Sequence, residues 1–521
     1  MNFFVRFKKD KNGDFESAEI RRTPVAAGVR TRFAPSPTGF MHVGGIRTAL
    51  YAWLFALQHG GAFILRIEDT DKAREVEGSI GHIMESLKWL GIKWMEGIDV
   101  GGPYEPYLQS ARVGLHHDYA RRLLLAGHAY PDPYTEEQVD EFRKKAEEEK
   151  RPFLFRDHRP DTIDEWDGKT PLRFRVPEIK RYEWHDLIMG DLSAGEEALD
   201  DFILLKGDGY PTYNFAHVID DIEMKITHVM RGQEFVSSTP KFLSLYDALG
   251  VTPPIFATLP PILGEGGTKK LGKRDGAKDI LEYRAEGYLP EAMVNFLALL
   301  GWHPTEKKGA EGDQEVLSLE DLLREFDIER VQKSGAQFDE QKLLHINREW
   351  MRRLSDTEYA IRGGLIDAVQ VGSEDPHDRM VLKAVTILKE RAYTFDEAKA
   401  MLAGELSGLF SAPALSKDTL VAKESPNAPG STKAHLEAFL GLIQGLHEEV
   451  EGEWNADSIK AALMPYADGI LKEGGGRGSA LWPLRYALSG QERSPDPFTL
   501  IWLLGIDESM ARIRTALGIL G

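Results

Sequence analysis

The 521-residue chain has no cysteine, so disulfides and every thiolate zinc site are excluded, and no structural metal is expected of it. No stretch reaches the ~18 uninterrupted apolar residues of a membrane-spanning helix. The opening MNFFVRFKKDKNGDFES lacks the ~7–15-residue apolar core of a secretory leader, and Asp10, Asp14, Glu16 and Glu19 speak against an organelle presequence. A cytoplasmic location without membrane contact is the expectation. Two nucleotide signatures are missing as well: no GxGxxG opens a helix-like run, and no GxxxxGK(S/T) occurs. Cations are the minority, with 64 Lys and Arg against 83 Asp and Glu and a formal net charge of −19. That deficit excludes a uniformly basic nucleic-acid binder but not a local basic face, because phosphate contacts depend on where cations cluster. Arg143, Lys144, Lys145, Lys150, Arg151, Arg156 and Arg159 form one candidate, and Arg348, Arg352 and Arg353 another. Each is also readable as a solvated helix face, the first the more so because Glu147 to Glu149 lie inside it.

The most informative segment present is PSPTGFMHVGG at 35–45. Before it, Arg30 to Ala34 reads as a short strand bounded by Pro35 and Pro37. After it, Ile46, Ala49, Leu50, Trp53, Leu54 and Leu57 recur at three- and four-residue steps until Gly60 and Gly61, which predicts a helix. Ala62 to Ile67 then reads as a buried strand, followed at once by Glu68, Asp69 and Asp71. This strand, helix, strand unit puts polar groups at the carboxyl edge of a parallel sheet, where ligands bind. In the turn, Gly44 and Gly45 let backbone approach a phosphate, the helix offers its amino-terminal dipole, and His42 can donate to a phosphate oxygen as charge develops there. Taken alone, the same turn reads more readily as a plain strand-helix connection with a surface histidine.

Further segments narrow the choice. GEGGTKKLGKRDG at 264–276 carries Lys269, Lys270, Lys273 and Arg274 on a glycine-rich loop that can close over a triphosphate and act by position and field, although taken alone it reads more readily as a solvated basic hairpin tip. GDGYPTYNFAH at 207–217 and THVMRGQEF from Thr227 deliver Tyr213 and Arg231, polar handles for a carboxylate. Together these segments resemble the class I aminoacyl-tRNA synthetases, with HVGG and KLGKR as variants of their two signatures. RFAPSPTG, RIEDTD, GPYEPYLQS, DGYPTYNFA, the Val218 to Asp221 string VIDD and NFLALLGW, in order and at similar spacing, resemble the glutamyl-tRNA synthetase family. The resemblance runs from about Arg30 to the end, strongest over the catalytic portion and weaker at LWPLRYALSG, 481–490.

The resemblance implies ATP-dependent attachment of L-glutamate to tRNA(Glu) through a glutamyl adenylate, with Mg²⁺ carried by the nucleotide, by a monomer. His42, Lys270 and Lys273 are the implied catalytic residues, and His42, Gly44, Gly45 and Lys273 the implied ATP site. Arg32, Ala34, Ser36, Glu68, Tyr213, His217 and Arg231 would hold glutamate: Arg32 and Tyr213 its side-chain carboxylate, Glu68 its ammonium, Arg231 its α-carboxylate. Arg391 and Arg485 would read the anticodon, Arg391 also helping to refuse the glutamine-specific tRNA, and both are equally readable as surface ion-pair formers. Gly272 stands where the family signature has serine, and His217 where some relatives have asparagine. The zinc site that some relatives carry has no cysteine here to build it.

The implied architecture is α/β: a Rossmann-type parallel-sheet catalytic domain split by an α+β acceptor-binding insertion, then a helical stem-contact region and an all-α anticodon-binding domain. The expected boundaries are an amino-terminal extension at 1–28, catalytic half 1 at 29–107, the insertion at 108–213 and catalytic half 2 at 214–268. The KLGKR loop and stem-contact domain would follow at 269–354, and the helical domain, of two subdomains, at 355–521.

Overall fold

The structure, a computed structural model, describes residues 28–161, 165–264, 266–272, 278–305, 315–367, 375–424, 430–446, 454–473 and 475–521, and ahead of them the antiparallel strand pair Phe7–Lys9 and Phe15–Ala18. The chain divides into two compact units, Glu19–Ile346 and Asn347–Gly521, the latter together with Met1–Ala18.

In the first unit the Arg30–Phe33, Ala62–Leu65 and Glu96–Gly97 strands are parallel, with Ala62–Leu65 in the middle. On the other flank of Arg30–Phe33 lies the His228–Gly232 strand. Thr227 N–H donates to the Arg30 carbonyl at 3.0 Å, and Arg30 N–H to the Thr227 hydroxyl at 2.7 Å. His228–Gly232 in turn pairs in parallel with Ile255–Leu259. Counted along the chain, the order across these five strands is therefore 3-2-1-4-5. It reverses between Arg30–Phe33 and His228–Gly232, the switch point beyond whose carboxyl ends a crevice opens in doubly wound sheets.

The stretch between Tyr107 and Tyr213 does not stand wholly apart from this sheet. Ala129–Pro131, Leu172–Phe174 and Ile203–Leu205 form their own antiparallel sheet, but the Tyr182–Asp186/Gly190–Ala194 hairpin joins the edge at Ile255–Leu259. The buried Asp186 carboxylate fixes that junction, accepting from the Thr258 N–H and hydroxyl and from the Ile188 and Met189 N–H groups.

Of the positions its periodicity marks, the Val43–Gln58 helix buries Ile46, Ala49, Leu50, Trp53 and Leu54 and leaves Leu57, in the last turn, half-buried; Tyr51 and Ala52 are buried besides. It packs between the sheet and the Pro290–Ala298 helix, so both faces are covered and its amino-terminal turn is fixed at the sheet edge. In the second unit, from Asp356 on, the described residues contain helices and no strand. Their starts are encoded locally: Ser355, Asp375, Thr394, Ser431, Asn455 and Asp496 each cap a helix by accepting from a backbone N–H of its first turn. Among the described residues no helix is long and apolar enough to cross a membrane.

Where the first helix hands over to the second strand, a Cβ on Gly61 would lie 2.0 Å from the Val29 carbonyl oxygen, backbone against backbone. Gly61→Ala is expected to lower the unfolding free energy by about 1–3 kcal/mol, the range for an overpacked interior site, in urea unfolding; an unchanged midpoint would show that the junction can give way.

Candidate functional site

At the switch point lies a cleft of about 480 Å³. Arg32, Ala34, Ser36, His42, Gly44, Gly45, Glu68, Tyr213, Arg231 and Lys270 all line it. These residues come from five separate segments of chain, around 32–45, Glu68, Tyr213, Arg231 and Lys270, brought together at the same edge of the sheet.

His42 is the amino-terminal cap of the Val43–Gln58 helix, its Nδ1 accepting from Gly44 N–H at 3.2 Å. With Nδ1 an acceptor, the hydrogen of the neutral ring sits on Nε2, which is the form able to donate to a phosphate. Gly44 keeps it so: a Cβ there would press on the ring at 3.2 Å from Cε1.

Arg32 is buried, with Nε 3.2 Å from one Asp221 oxygen and Nη1 donating to the Met230 carbonyl at 3.2 Å. The other Asp221 partner is Arg66, fully buried, whose Nη1 donates to it at 2.8 Å while Nη2 donates to Glu68 at 2.9 Å. Two arginines and two carboxylates thus alternate as Arg32, Asp221, Arg66, Glu68. Burial by itself would raise the Asp221 carboxyl, but Arg32 and Arg66 override it and hold the group below the usual carboxylate range. Burial wins at Glu68 and pushes its carboxyl up, with Arg66 opposing. A cation arriving beside Glu68 would relieve that penalty. Neighbouring Asp220 has further partners of its own, accepting from Arg112 Nε at 2.6 Å and from the Gln109 amide at 2.8 Å and facing His116 Nε2 at 3.1 Å.

Arg231 differs from Arg32 in having no carboxylate. One Nη donates to the Thr239 hydroxyl at 2.7 Å, whereas Nε and the other Nη are buried without a hydrogen-bond partner. Phe256, Phe242 and Phe235 surround the guanidinium at 4.6, 4.9 and 5.9 Å. Burial pulls its pKa down to about 10. It is a cation packed among aromatic rings at the cleft wall, with buried donors whose pairing by an anion would be favourable. Tyr213 stands at the mouth, 37% exposed, stacked on His217 at 4.7 Å. His217 itself does not line the cleft. It lies behind Tyr213, its Nδ1 bonded to the Tyr213 carbonyl at 2.7 Å, and burial draws its pKa to about 3, so it stays neutral and contributes packing rather than charge.

Lys270 reaches the cleft beside Glu234, 3.4 Å away, both largely exposed. Lys273 and Arg274 lie outside the described residues. Arg391 and Arg485 belong to the second unit: Arg391 pairs with Glu405 at 3.1 Å, and Arg485 lies over the Trp482 ring at 4.9 Å while donating to the Glu492 carbonyl. Sequence reasoning missed Arg66, Asp220 and Asp221 as working parts. The one available signal was two adjacent acids, Asp220 and Asp221, on an otherwise apolar helical run.

A family model described as tRNA synthetases class I (E and Q), catalytic domain, matches residues 28–345, and an anticodon binding domain model matches 348–517. A glutamate–tRNA ligase of Anaeromyxobacter sp. (strain Fw109-5) is 38% identical over 502 residues, covering 94% of this chain and 99% of that protein. One of Clostridium acetobutylicum is 39% identical over 496 residues, covering 93% and 97%. Among solved structures, that of a glutamate tRNA ligase from Elizabethkingia meningosepticum in complex with its amino acid superposes with a TM-score of 0.78 at 35% identity, covering 95% of this chain and 100% of that one.

The neutrality of His217 has a pH signature. Its folded pKa is depressed from 6.5 to about 3, so the unfolded chain binds the proton first and stability is lost as pH falls through that window. The expected contribution to the slope is up to about 1.4 kcal/mol per pH unit. His217→Leu should flatten the acid limb of stability between those limits by that amount; an unchanged slope would mean the ring is solvated in the folded protein.

Proposed function

The chain belongs to the glutamate–tRNA ligase family of class I tRNA synthetases, and on that footing we propose that it charges tRNA(Glu) with L-glutamate at the expense of ATP, acting as a monomer in the cytoplasm. The observation that carries the substrate assignment is Arg231, whose buried N–H groups lack a partner in a cleft shared with Arg32, Glu68 and the His42 turn. An acidic amino acid supplies what each lacks. Two carboxylates meet two guanidinium groups, and an ammonium meets the one carboxylate that burial has pushed up.

In the first step a glutamate α-carboxylate oxygen attacks the α-phosphorus of ATP. The bond to the β-phosphate oxygen breaks, and pyrophosphate leaves. In the second step the terminal 2′-hydroxyl of the tRNA attacks the acyl carbon, AMP departs, and the hydroxyl proton passes to a phosphate oxygen or to water. No bond to the enzyme forms. Arg231 would hold the α-carboxylate with its oxygen aimed at phosphorus, Glu68 the ammonium, and Arg32 with Tyr213 the side-chain carboxylate, between Ala34 and Ser36. His42 Nε2, the N–H groups of Gly44 and Gly45, and the Lys270 and Lys273 ammonium groups would meet the phosphates. Mg²⁺ fits as a passenger of ATP, screening its phosphates, since the cleft's Glu68 and Glu234 are already paired with Arg66 and Lys270. Arg391 and Arg485 would contact the anticodon. Glutamine is disfavoured because its amide gives Arg32 no charge in a site that excludes most water.

Aminoacylation with tRNA(Glu) and tRNA(Gln) in turn, alongside pyrophosphate exchange with and without tRNA, tests the reading; product on tRNA(Glu) and none on tRNA(Gln) is expected, and no product on either would overturn it. Arg231→Ala should raise the KM for glutamate by about 10- to 100-fold, from the loss of charge-assisted bonds, and leave that for ATP within a few-fold. Arg32→Ala should weaken glutamate use in the same sense, with equal losses for both ligands counting against the assignment. Lys273→Ala should slow adenylate formation at least ~100-fold, the scale for one preorganised donor; near-normal exchange would remove it from the machinery.

A further inference from the structure

Helix Ser79–Trp89 carries a histidine that neither signature contains. His82 sits with Nδ1 3.3 Å from the Met41 N–H, which donates to it, and with Nε2 2.6 Å from one Asp279 oxygen and 2.8 Å from the other. Because Nδ1 accepts, Nε2 carries the hydrogen and donates to the carboxylate. The ring face is stacked on Phe40 at 4.6 Å. His82 therefore touches the 40–42 turn by face and edge at once, and reaches through its far nitrogen to a residue 197 positions away.

Asp279 is the foot of the basic loop. Its backbone forms an antiparallel bridge with His42, and the next N–H, of Ile280, donates to the Met41 carbonyl at 3.0 Å. Its side chain also caps helix Ile280–Ala285 by accepting from Leu281 N–H. On the other side of the loop, Lys270 bridges Leu263 and the Leu271 N–H donates to the Ile262 carbonyl. The described part of the basic loop thus ends at 272 beside a ladder with Ile262 and Leu263, and the chain is described again from 278, beside His42. Among the described residues, the His82–Asp279 pair ties the returning foot to the His42 turn, while Lys278 ties it by side chain to Glu286 at 3.0 Å and Glu340 at 3.2 Å, away from that turn.

We propose that His82 and Asp279 form a positioning pair that registers the basic loop against the His42 turn, so that the phosphate donors of the two segments meet one triphosphate. Neither residue lines the cleft. The pair acts on ATP through the backbone at 40–42 and 278–280, and it rests on the functional reading given above. A misplacement on the order of 1 Å at a reacting centre costs about 100-fold in rate, so a hydrogen-bonded strut at this point has leverage.

The test uses the full chain with tRNA(Glu), ATP, glutamate and pyrophosphate. His82→Phe keeps the ring stack and volume but removes both nitrogens, His82→Gln places an amide donor near the former Nε2, and Asp279→Asn keeps a helix cap but removes the charge. For His82→Phe the expected result is a fall of about 10- to 100-fold in the rate of pyrophosphate exchange at saturating glutamate, with a raised KM for ATP, an unchanged KM for glutamate and a melting temperature close to that of the parent. His82→Gln should recover most of the rate. His82→Phe combined with Asp279→Asn should be no worse than the more impaired of the two alone, since both break one link. Parental kinetics in His82→Phe, an equal rise in the KM for glutamate, or losses that multiply in the double variant would each overturn the pairing. A parent chain with no glutamate-dependent exchange would instead overturn the functional reading on which the pair rests.

Discussion

The Asp221 carboxylate, held between Arg32 and Arg66 without access to water, is the constraint on which the site depends. Removing charges from water costs several kcal/mol per ion, and the cost is offset only where geometry and hydrogen bonds are good. Here the alternation of charge does that, and it ties three separate pieces of chain together. Arg32 lies near the end of the first strand, Arg66 follows the second, and Asp221 rides on helix Tyr213–Glu223, which the chain reaches only after the intervening stretch. Asp220, one residue earlier, reaches Arg112 and His116 at the start of that stretch. Two consecutive acids on one helix thereby fasten the two halves of the sheet and the segment between them.

The same network explains why the two arginines of the cleft are not equivalent. Arg32 is already matched by Asp221, so its orientation is set whether or not a ligand is present. Arg231 has only the Thr239 hydroxyl and three phenylalanine rings. A guanidinium in that state gains most from a carboxylate, because the alternative is a buried donor left unpaired. Rigid presentation by the first and unmet demand by the second are complementary: on the proposed reading one would fix where the substrate lies, and the other would supply a large part of the reason for binding.

What could be read from residues alone was local. The His42 turn, the helix after it and the buried strand are written in spacings of a few residues, and the structure has them where periodicity places them. The resemblance to a family added which side chains belong to one cleft. What stayed hidden depends on pairs far apart in the chain: Arg66 with Asp221, Arg112 with Asp220, His82 with Asp279, and the edge hairpin that Asp186 fastens to Thr258. No local pattern marks such partners, since each residue taken singly is an ordinary charged or polar position. His217 shows the converse. Its place beside Tyr213 was legible, but whether it faces ligand or packs behind the ring is decided by the helix's rotation against Phe242, which sequence does not encode.

Among the described residues every buried cationic side chain except histidine is an arginine, and no lysine is buried. That division follows from the two head groups. A guanidinium presents donors in a fixed plane, so Arg66 can satisfy Asp221 and Glu68 at once, and Arg112 can serve Asp220 while donating to the Tyr104 and Pro106 carbonyls. An ammonium has one centre of charge and a strong hold on water, and at these positions it would leave an acid unmatched. Lys270, on the loop at the cleft's mouth, has its side chain 60% exposed. A flexible, hydrated point charge suits a group that must stay with phosphate oxygens while the bond to pyrophosphate lengthens and the leaving group moves away. On the proposed reading, arginines would hold the atoms that stay fixed and lysines would accompany those that move, so exchanging the two types would impair different steps even though the net charge of the cleft is unchanged.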